Sequence, residues 1–196
     1  TPERSSAASD VYKRQVNEDA TLTVSDGAGN STIAGASYVD SINLYILSGY
    51  SGGYPHDIKF NNDGTKMFVV EDSTNAIREY HLTTGFDIST ASYDSLFSVA
   101  SQDTNPRGLA FNNDGTKMFV AGWKNQRVFE YHLTTGFDIS TASYDSNFGF
   151  SSCGSNGLAF NSDGTKMFVN CVNSSVGVVE YTLSLIHISE PTRRIT

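Results

Sequence analysis

Short apolar runs alternate with polar turns along this chain, and the runs return at a spacing of about 50 residues. The segment FNNDGTKMFV at 60–69 recurs unchanged at 111–120, and FNSDGTKMFV follows at 160–169. No stretch keeps the apolar period of a helix over several turns. The chain is therefore predicted to consist of repeats that are built from short β-strands.

Each repeat divides into four predicted strands. The first strand ends at Phe60, Phe111 and Phe160, and an Asp-Gly turn follows it. Asp-Gly favours tight hairpins because glycine accepts a positive φ and aspartate bonds to its own backbone. The second strand reads KMFVV, KMFVA or KMFVN, and the third reads IREYHL, VFEYHL or VVEYTL. The fourth covers YDSLFSV or YDSNFGF, and the third copy departs from the repeat after EYTL.

A lone four-stranded sheet has two apolar faces that it cannot bury by itself. Copies stacked around an axis bury each face against the next sheet, so every copy needs large residues at the same places. The recurring Met, Phe, Tyr and Leu residues are therefore predicted to form the core. The recurring Glu79, Glu130 and Glu180 are predicted to form hydrogen bonds between neighbouring sheets. We predict an all-β fold, a partial β-propeller of about three four-stranded blades.

The segment FNxDGTKMFV resembles the F-s-P-D-G-x-x-φ-φ-V repeats, φ being apolar, of bacterial propellers in lactonase-like, TolB-like and surface-layer proteins. The resemblance covers about residues 36–183 and implies a larger propeller, which closes with about six to eight blades. Asn62, Asn113 and Ser162 depart from the pattern because they replace its usual proline. The resemblance implies a fold and selects no function.

The two ends of the sequence share nothing with the repeats. DVYKRQ at 10–15 and LSLIHI at 183–188 can be encoded by nucleotide strings that are reverse complements of each other. Both strings resemble the ends of the adapter that a transposase inserts into sequencing libraries. We therefore interpret residues 1–15 and 183–196 as translated adapter that is not native.

The remaining chain divides into two parts. Residues 16–35 are either the end of an upstream blade or a segment that resembles cadherin-like or VCBS-type repeats. Residues 36–182 carry the propeller repeats, with units at about 55–104, 105–154 and 155–182, of which the last is incomplete.

Charge and hydropathy exclude two classes of partner. The chain carries 13 Lys and Arg against 21 Asp and Glu, a formal net charge of −8. Such a surface repels phosphate backbones, so we expect no nucleic-acid partner. No apolar run approaches the ~20 residues that span a bilayer, so we expect no membrane span. The low charged fraction and the many Ser, Thr and Asn residues favour an extracellular or cell-surface bacterial protein.

The two cysteines, Cys153 and Cys171, are too few for a disulfide scaffold or a complete structural zinc site. With Asp163–Gly164 at a hairpin turn, Cys171 falls opposite about Ser155 or Asn156, one step from Cys153. A disulfide across this hairpin is one alternative. Free structural thiols are the other, and we favour them.

Catalytic motifs in the chain lack their required context. Gly49-Tyr50-Ser51-Gly52-Gly53 fits the G-x-S-x-G nucleophile elbow, but a strand follows it where the elbow requires a helix. We therefore predict no catalytic residue, no metal ligand and no cofactor in this chain.

Candidate binding residues stand at positions that differ between the copies, where packing dictates no residue type. His56, Arg107 and Asn156 are equivalent positions at the start of the innermost strand, near one mouth of the predicted central channel. Asp57 and Lys59 add charge there in the first unit. A second candidate patch, in the outer loop between strands two and three, combines an aromatic ring with cations: Trp123, Lys124 and Arg127.

These features favour a non-enzymatic binding or adhesion module of a secreted or cell-surface protein. Its partners would be an unknown protein or carbohydrate ligand and the remaining blades of the same chain. Near-identical blades argue against an enzyme, because a catalytic site needs different residues on different blades. One alternative is a metal-dependent lactonase- or lyase-type propeller enzyme whose site lies mostly on other blades. The other alternative is a structural spacer.

Overall fold

The computed structural model describes residues 38–44, 47, 54–150, 153–172 and 177–183. The segments interpreted as adapter, 1–15 and 183–196, and the segment 16–35 lie outside the described residues, apart from Leu183. Two compact units comprise Thr1–Val39 and Asp40–Thr196, and every described strand belongs to the second unit. Within the described ranges, no helix has the length and apolar character that crossing a bilayer requires.

The described residues form eleven strands in three antiparallel sheets, which we call blades. Within each blade, every strand pairs with the next strand along the chain. The first blade contains β1 (Pro55–Phe60), β2 (Lys66–Glu71), β3 (Ala76–Leu82) and β4 (Ala91–Ser98). The second contains β5 (Pro106–Phe111), β6 (Lys117–Gly122), β7 (Arg127–Leu133) and β8 (Ala142–Gly149). The third contains β9 (Gly154–Phe160), β10 (Lys166–Val172) and β11 (Val178–Thr182). Short 3-10 helices at Ile88–Thr90 and Ile139–Thr141 precede β4 and β8.

The Asp-Gly turns between the first two strands of each blade are built alike. Gly64, Gly115 and Gly164 have φ values of 73°, 71° and 69°, in the left-handed region that glycine enters without steric cost. The Asp63 carboxylate accepts hydrogen bonds from the hydroxyl and the backbone N–H of Thr65, at 2.6 and 3.0 Å. These bonds lower the pKa of Asp63. The repeated decapeptide therefore encodes a hairpin turn, as predicted.

Neighbouring blades bury their apolar faces against each other, which confirms the predicted reason for the repeat. We call the face of a blade that packs on the following blade its forward face. The core between the first and second blades includes Phe68, Val70, Ile77, Met118, Val120, Tyr131 and Leu133. The core between the second and third blades includes Ala121, Val128, Leu158, Met167 and Val169.

The first strands of the three blades lie side by side, since β1 contacts β5 and β5 contacts β9. Gly108 in β5 permits a close approach, because a Cβ at this position would lie 2.8 Å from the Cα of Gly157 in β9. Asp57 links β1 to β5, since its Oδ2 accepts a hydrogen bond from the Leu109 backbone N–H at 2.9 Å. The blades therefore radiate from their first strands, as in a propeller.

Glu79 connects the first blade to the second. Its buried carboxylate accepts a hydrogen bond from the Ile139 backbone N–H at 3.0 Å and another from Lys66 Nζ at 2.5 Å. Lys66 also donates to the backbone carbonyl of Phe137 at 2.7 Å. Burial raises the pKa of Glu79, although the bonds from Lys66 and Ile139 oppose the shift. The predicted hydrogen bond between blades is confirmed for Glu79.

Cys153 and Cys171 are joined in a disulfide, and their Cα atoms lie 5.1 Å apart. The register pairs Cys171 of β10 with Ser155 of β9, so the bridge closes the β9–β10 hairpin near its open end. Both cysteines are buried in the core between the second and third blades. The interpretation as free thiols, which the sequence favours, is therefore wrong. Cys153 precedes β9 and is not part of the strand register, so the register alone does not reveal the pairing.

Candidate functional site

A β-bulge occurs at the start of each inner strand, at a position where the copies differ. The residue that each bulge leaves out of the strand register is His56 in β1, Arg107 in β5 and Asn156 in β9. A bulge releases a side chain from the regular alternation of the strand and re-aims it. Each of the three predicted channel-mouth residues therefore occupies a β-bulge, and the three bulges lie on adjacent blades.

Arg107 is the centre of this group. Its Nε donates to Asn105 Oδ1 at 2.8 Å, and its Nη1 donates to Asn156 Oδ1 at 3.3 Å on the third blade. The guanidinium carbon lies 4.6 Å from the ring centroid of Trp123, which is a cation–π contact. Within the described residues, Nη2 has no hydrogen-bond partner. The guanidinium is thus held in a fixed orientation and keeps donors for a ligand.

His56 and Asp72 form a polar pair on the first blade. His56 Nε2 lies 2.9 Å from Asp72 Oδ2, and the two side chains are 19% and 21% exposed. The Tyr54 backbone N–H donates to the other carboxylate oxygen at 3.3 Å. Burial disfavours the charged carboxylate, but the bonds from His56 and Tyr54 and the positive charges of His56 and Arg107 outweigh it and lower the pKa of Asp72. The positive charge of Arg107 therefore acts on the Asp72 carboxylate.

Trp123 belongs with the channel-mouth residues, although the sequence assigns it to a separate outer patch. Its ring packs on Arg107 and also on Gly154, where an added Cβ would lie 2.6 Å from a ring carbon. We call His56, Asp72, Arg107, Trp123 and Asn156 the inner-strand site. The contact between the two predicted sets arises because the turn after β6 folds over the start of β9.

Asp72 and Asn105 are the site residues that the sequence interpretation missed. A signal for Asp72 was available, because Asp72 follows β2 just as Trp123 follows β6, at the equivalent position of the repeat. For Asn105 the sequence carries no comparable signal. It stands in a variable loop, and only its 2.8 Å bond to Arg107 gives it a role.

Four other predicted residues make different contacts. Asp57 uses one carboxylate oxygen for Leu109 and accepts a bond from Lys59 Nζ at 2.9 Å through the other. Lys124 and Arg127 are exposed, and Arg127 Nη1 donates to Asn147 Oδ1 within the second blade. The contacts that the structure describes join none of these four side chains to Arg107.

The inner-strand site brings hydrogen-bond donors together with one carboxylate, that of Asp72. In the described part of the chain, no group of three His, Cys, Asp or Glu side chains is placed to hold a metal ion. The site combines a fixed guanidinium and an imidazole with the amide groups of Asn105 and Asn156. Guanidinium groups bind carboxylates through parallel charge-assisted hydrogen bonds.

No protein-family model and no curated protein matches the chain. Solved structures match its fold. The periplasmic gluconolactonase of Pseudomonas aeruginosa aligns with a TM-score of 0.55 at 13% identity, over 67% of this chain and 38% of that one. A functionally unknown protein from Desulfotomaculum acetoxidans aligns with a TM-score of 0.52 at 20% identity, over 66% and 39%. The β-propeller domain of Cps50 (Swd1) from Myceliophteria thermophila aligns with a TM-score of 0.51 at 9% identity, over 69% and 40%.

These likenesses show the fold alone. The chain is an all-β, partial β-propeller, and it spans about two fifths of the length of the solved structures that it matches. The predicted resemblance to bacterial propeller repeats is supported as far as the propeller fold, which the periplasmic gluconolactonase shares. The more specific assignment to one class of repeat stays a prediction.

Proposed function

We propose that the chain is a ligand-binding module whose inner-strand site holds a carboxylate-bearing carbohydrate. The observation that carries the proposal is the fixed guanidinium of Arg107, which two asparagine side chains and the Trp123 ring hold in place. A guanidinium fixed before binding loses little side-chain entropy when a ligand arrives.

The surroundings of Arg107 favour a small acidic ligand. The chain as a whole is acidic, with a formal net charge of −8, so a large anionic surface would be repelled. A single carboxylate can reach the local positive charge of Arg107 and form paired hydrogen bonds with it. Sugar hydroxyls would find acceptors and donors on Asn156 and His56, which belong to the adjacent blades.

The intrinsic fluorescence of Trp123 gives a direct test, because the chain contains one tryptophan. We expect glucuronate to change the emission saturably, while glucose, which has the same ring without the carboxylate, leaves it unchanged. Arg107→Ala should weaken glucuronate binding at least about tenfold, since a hydrogen bond to a charged group contributes about 1.5–3 kcal/mol. Arg127→Ala is the matched control, because it removes an exposed arginine of the same blade and should change nothing.

Two results would contradict the proposal. Equal responses to glucose and glucuronate would show that the carboxylate is not recognised. Retained binding in Arg107→Ala would show that the site lies elsewhere. A chain that binds no acidic sugar, peptide carboxylate or neutral glycan at millimolar concentration would favour the structural-spacer alternative.

A second candidate function is lactone hydrolysis, and the His56–Asp72 pair favours it. A carboxylate that orients an imidazole is a common arrangement for a general base, which would take a proton from the attacking water. Arg107 could then stabilise the negative charge that develops on the lactone carbonyl oxygen. The fold match to a gluconolactonase supports the candidate at the level of architecture. The metal-dependent version would need ligands beyond this pair.

The assay is the hydrolysis of glucono-δ-lactone in a pH-stat, corrected for the spontaneous rate and repeated with added Zn²⁺ and Ca²⁺. Acceleration that His56→Asn abolishes and Arg127→Ala preserves would support the enzyme. A rate no higher than the spontaneous rate under all three conditions would reject it for this chain.

We further propose a secreted or cell-surface location. The buried Cys153–Cys171 disulfide supports it, because such bridges persist mainly in oxidising compartments. Maleimide labelling of the protein in intact source cells, before and after reduction, tests the location and the bridge together. Reduced cysteines in the native protein would contradict both.

A further inference from the structure

The chain contains one Asn-Gly pair, Asn156–Gly157, and this pair lies in the inner-strand site. An asparagine before glycine is the most labile kind, because glycine has no Cβ to obstruct attack of its backbone nitrogen on the preceding side chain. The other asparagines precede larger residues or, at Asn105, a proline, whose nitrogen carries no hydrogen. The most reactive amide side chain of the sequence is therefore a partner of Arg107.

The backbone at this pair departs from a regular strand. Asn156 is the residue that the bulge in β9 leaves out of the register, between Ser155 and Gly157. A bulge disrupts the hydrogen-bond ladder locally and leaves its extra residue unpaired. The side chain of Asn156 is also exposed, so water reaches it. The strand therefore restrains Asn156 less than it restrains its paired neighbours.

Arg107 activates the Asn156 amide in a way that the Asn-Gly sequence alone does not. Its Nη1 donates to Asn156 Oδ1 at 3.3 Å from the adjacent blade. Attack on Cγ makes this carbon tetrahedral, and negative charge develops on the same Oδ1. A donor that is oriented before the reaction stabilises such a charge. The bond to Asn105 and the Trp123 ring already fix the orientation of the Arg107 guanidinium.

We propose that Asn156 is a self-modification site, at which Arg107 promotes deamidation of the side chain to a carboxylate. The Gly157 backbone nitrogen forms a bond to Asn156 Cγ and gives up its proton. The Cγ–Nδ2 bond breaks, and Nδ2 leaves with this proton as ammonia, so that a cyclic imide remains. Water then opens the imide to aspartate or isoaspartate. The net reaction converts an amide and water into a carboxylate and ammonium, without oxidation or reduction.

The product changes the charge of the inner-strand site. The unmodified site contains the guanidinium of Arg107 and the carboxylate of Asp72. A carboxylate at position 156 would form a charge-assisted hydrogen bond with Arg107 through the contact that the amide oxygen already makes. It would then compete with a ligand carboxylate for the same guanidinium. This effect on binding rests on the function proposed above, whereas the modification itself does not.

The modification is tested by incubating the full chain in mildly alkaline buffer and following the amide-to-acid mass change in its peptic peptides, since acid digestion suppresses further deamidation. We expect the peptide with Asn156 to change faster than peptides with other asparagines. Arg107→Ala should slow the change about tenfold, because a hydrogen bond from a charged donor is lost. Arg127→Ala should leave the rate unchanged. Gly157→Ala should slow the change at least as much, and its added Cβ meets no atom within 4 Å that would disturb the fold.

Equal rates in Arg107→Ala and the unsubstituted chain would overturn the proposal, and so would a rate at Asn156 no higher than at other asparagines. Asn156→Asp carries the product from the start. It should bind glucuronate at least about tenfold more weakly than Asn156→Ala, which removes the amide without adding charge. Equal affinities of these two variants would overturn the effect on binding. Failure of glucuronate to bind the unmodified chain would contradict the proposed function instead, and the deamidation rates decide the modification independently.

Discussion

One Lys–Glu pair occurs in each blade, with nearly the same geometry and with burial that falls from the first blade to the third. The N–O distances are 2.5, 2.6 and 2.5 Å, and the glutamate side chains are 1%, 23% and 49% exposed. The three pairs are Lys66–Glu79, Lys117–Glu130 and Lys166–Glu180. The hairpin around each Lys–Glu pair is the same in the three blades. The contact of the pair with the following blade differs. Replacing each glutamate by alanine therefore measures what the contact between blades contributes.

We expect Glu79→Ala to lower the free energy of unfolding by about 3 kcal/mol, because breaking one side of a buried ion pair costs about 3–5 kcal/mol. The lower end applies because burial raises the pKa of Glu79, so desolvation already offsets part of its interaction energy. The change also removes the acceptor of the buried Ile139 N–H. Glu130→Ala should cost about 1 kcal/mol, a typical net value for a partly exposed hydrogen bond. Glu180→Ala should cost about 0.5 kcal/mol or less, as exposed ion pairs do.

Urea unfolding of the full chain, followed by near-ultraviolet circular dichroism, gives the three free energies on one scale. The m-values should stay constant, since the substitutions leave the buried surface almost unchanged. Equal losses for the three variants would show that the pair acts within its own hairpin, which would refute the role in blade contact. A larger loss for Glu180→Ala than for Glu79→Ala would refute it as well.

Three further predictions concern the disulfide, the inner strands and the turns. Reduction of the Cys153–Cys171 disulfide should lower the free energy of unfolding by about 3 kcal/mol, since it links residues 18 positions apart; an unchanged urea midpoint after reduction would contradict this. Gly108→Ala should destabilise the chain by about 1–3 kcal/mol, because its Cβ would meet the β9 backbone. Gly157→Ala is its control, since open space surrounds the added Cβ, and equal melting temperatures for the two variants would refute the close-approach argument. The hydrogen bonds from Thr65 lower the pKa of Asp63 below its ordinary value in the folded state. Its stabilising contribution is therefore present above the unfolded pKa of about 3.9 and is lost as the pH falls through the folded value. An NMR titration of the Asp63 carboxyl that finds an ordinary or raised pKa would contradict the turn geometry.

The strands and turns could be predicted from the sequence because their causes are local. An Asp-Gly pair needs only its own backbone and a nearby threonine to form the turn at Gly64, and the same residues do so at Gly115 and Gly164. The predicted ends of the first strands at Phe60 and Phe111 agree with the structure. The 3-10 helices and the bulges were not predicted. The helices lie between the predicted third and fourth strands, and the bulges lie just before the predicted first strands.

The inner-strand site could be predicted only in part. The variation between copies identified His56, Arg107 and Asn156, since packing constrains those positions least. The contact of Arg107 with Trp123 and the pairing of His56 with Asp72 could not be predicted. Both depend on how the turn after the second strand folds over the starts of the inner strands.

The repeat, the four-strand pattern, the turns and the residue types of the core follow from the amino-acid sequence alone, because short-range periodicity and turn stereochemistry dictate them. Which copies of a segment are buried depends instead on the packing between blades. The identical segments 83–90 and 134–141 show the difference, since Phe86 is exposed and Ile88 half-buried, while the equivalent Phe137 is half-buried and Ile139 fully buried. The two segments have the same local preferences, and among the described residues only 134–141 packs against a neighbouring blade, the first. The same holds for the disulfide and the inner-strand site, where residues distant in the chain meet because neighbouring sheets pack around one axis.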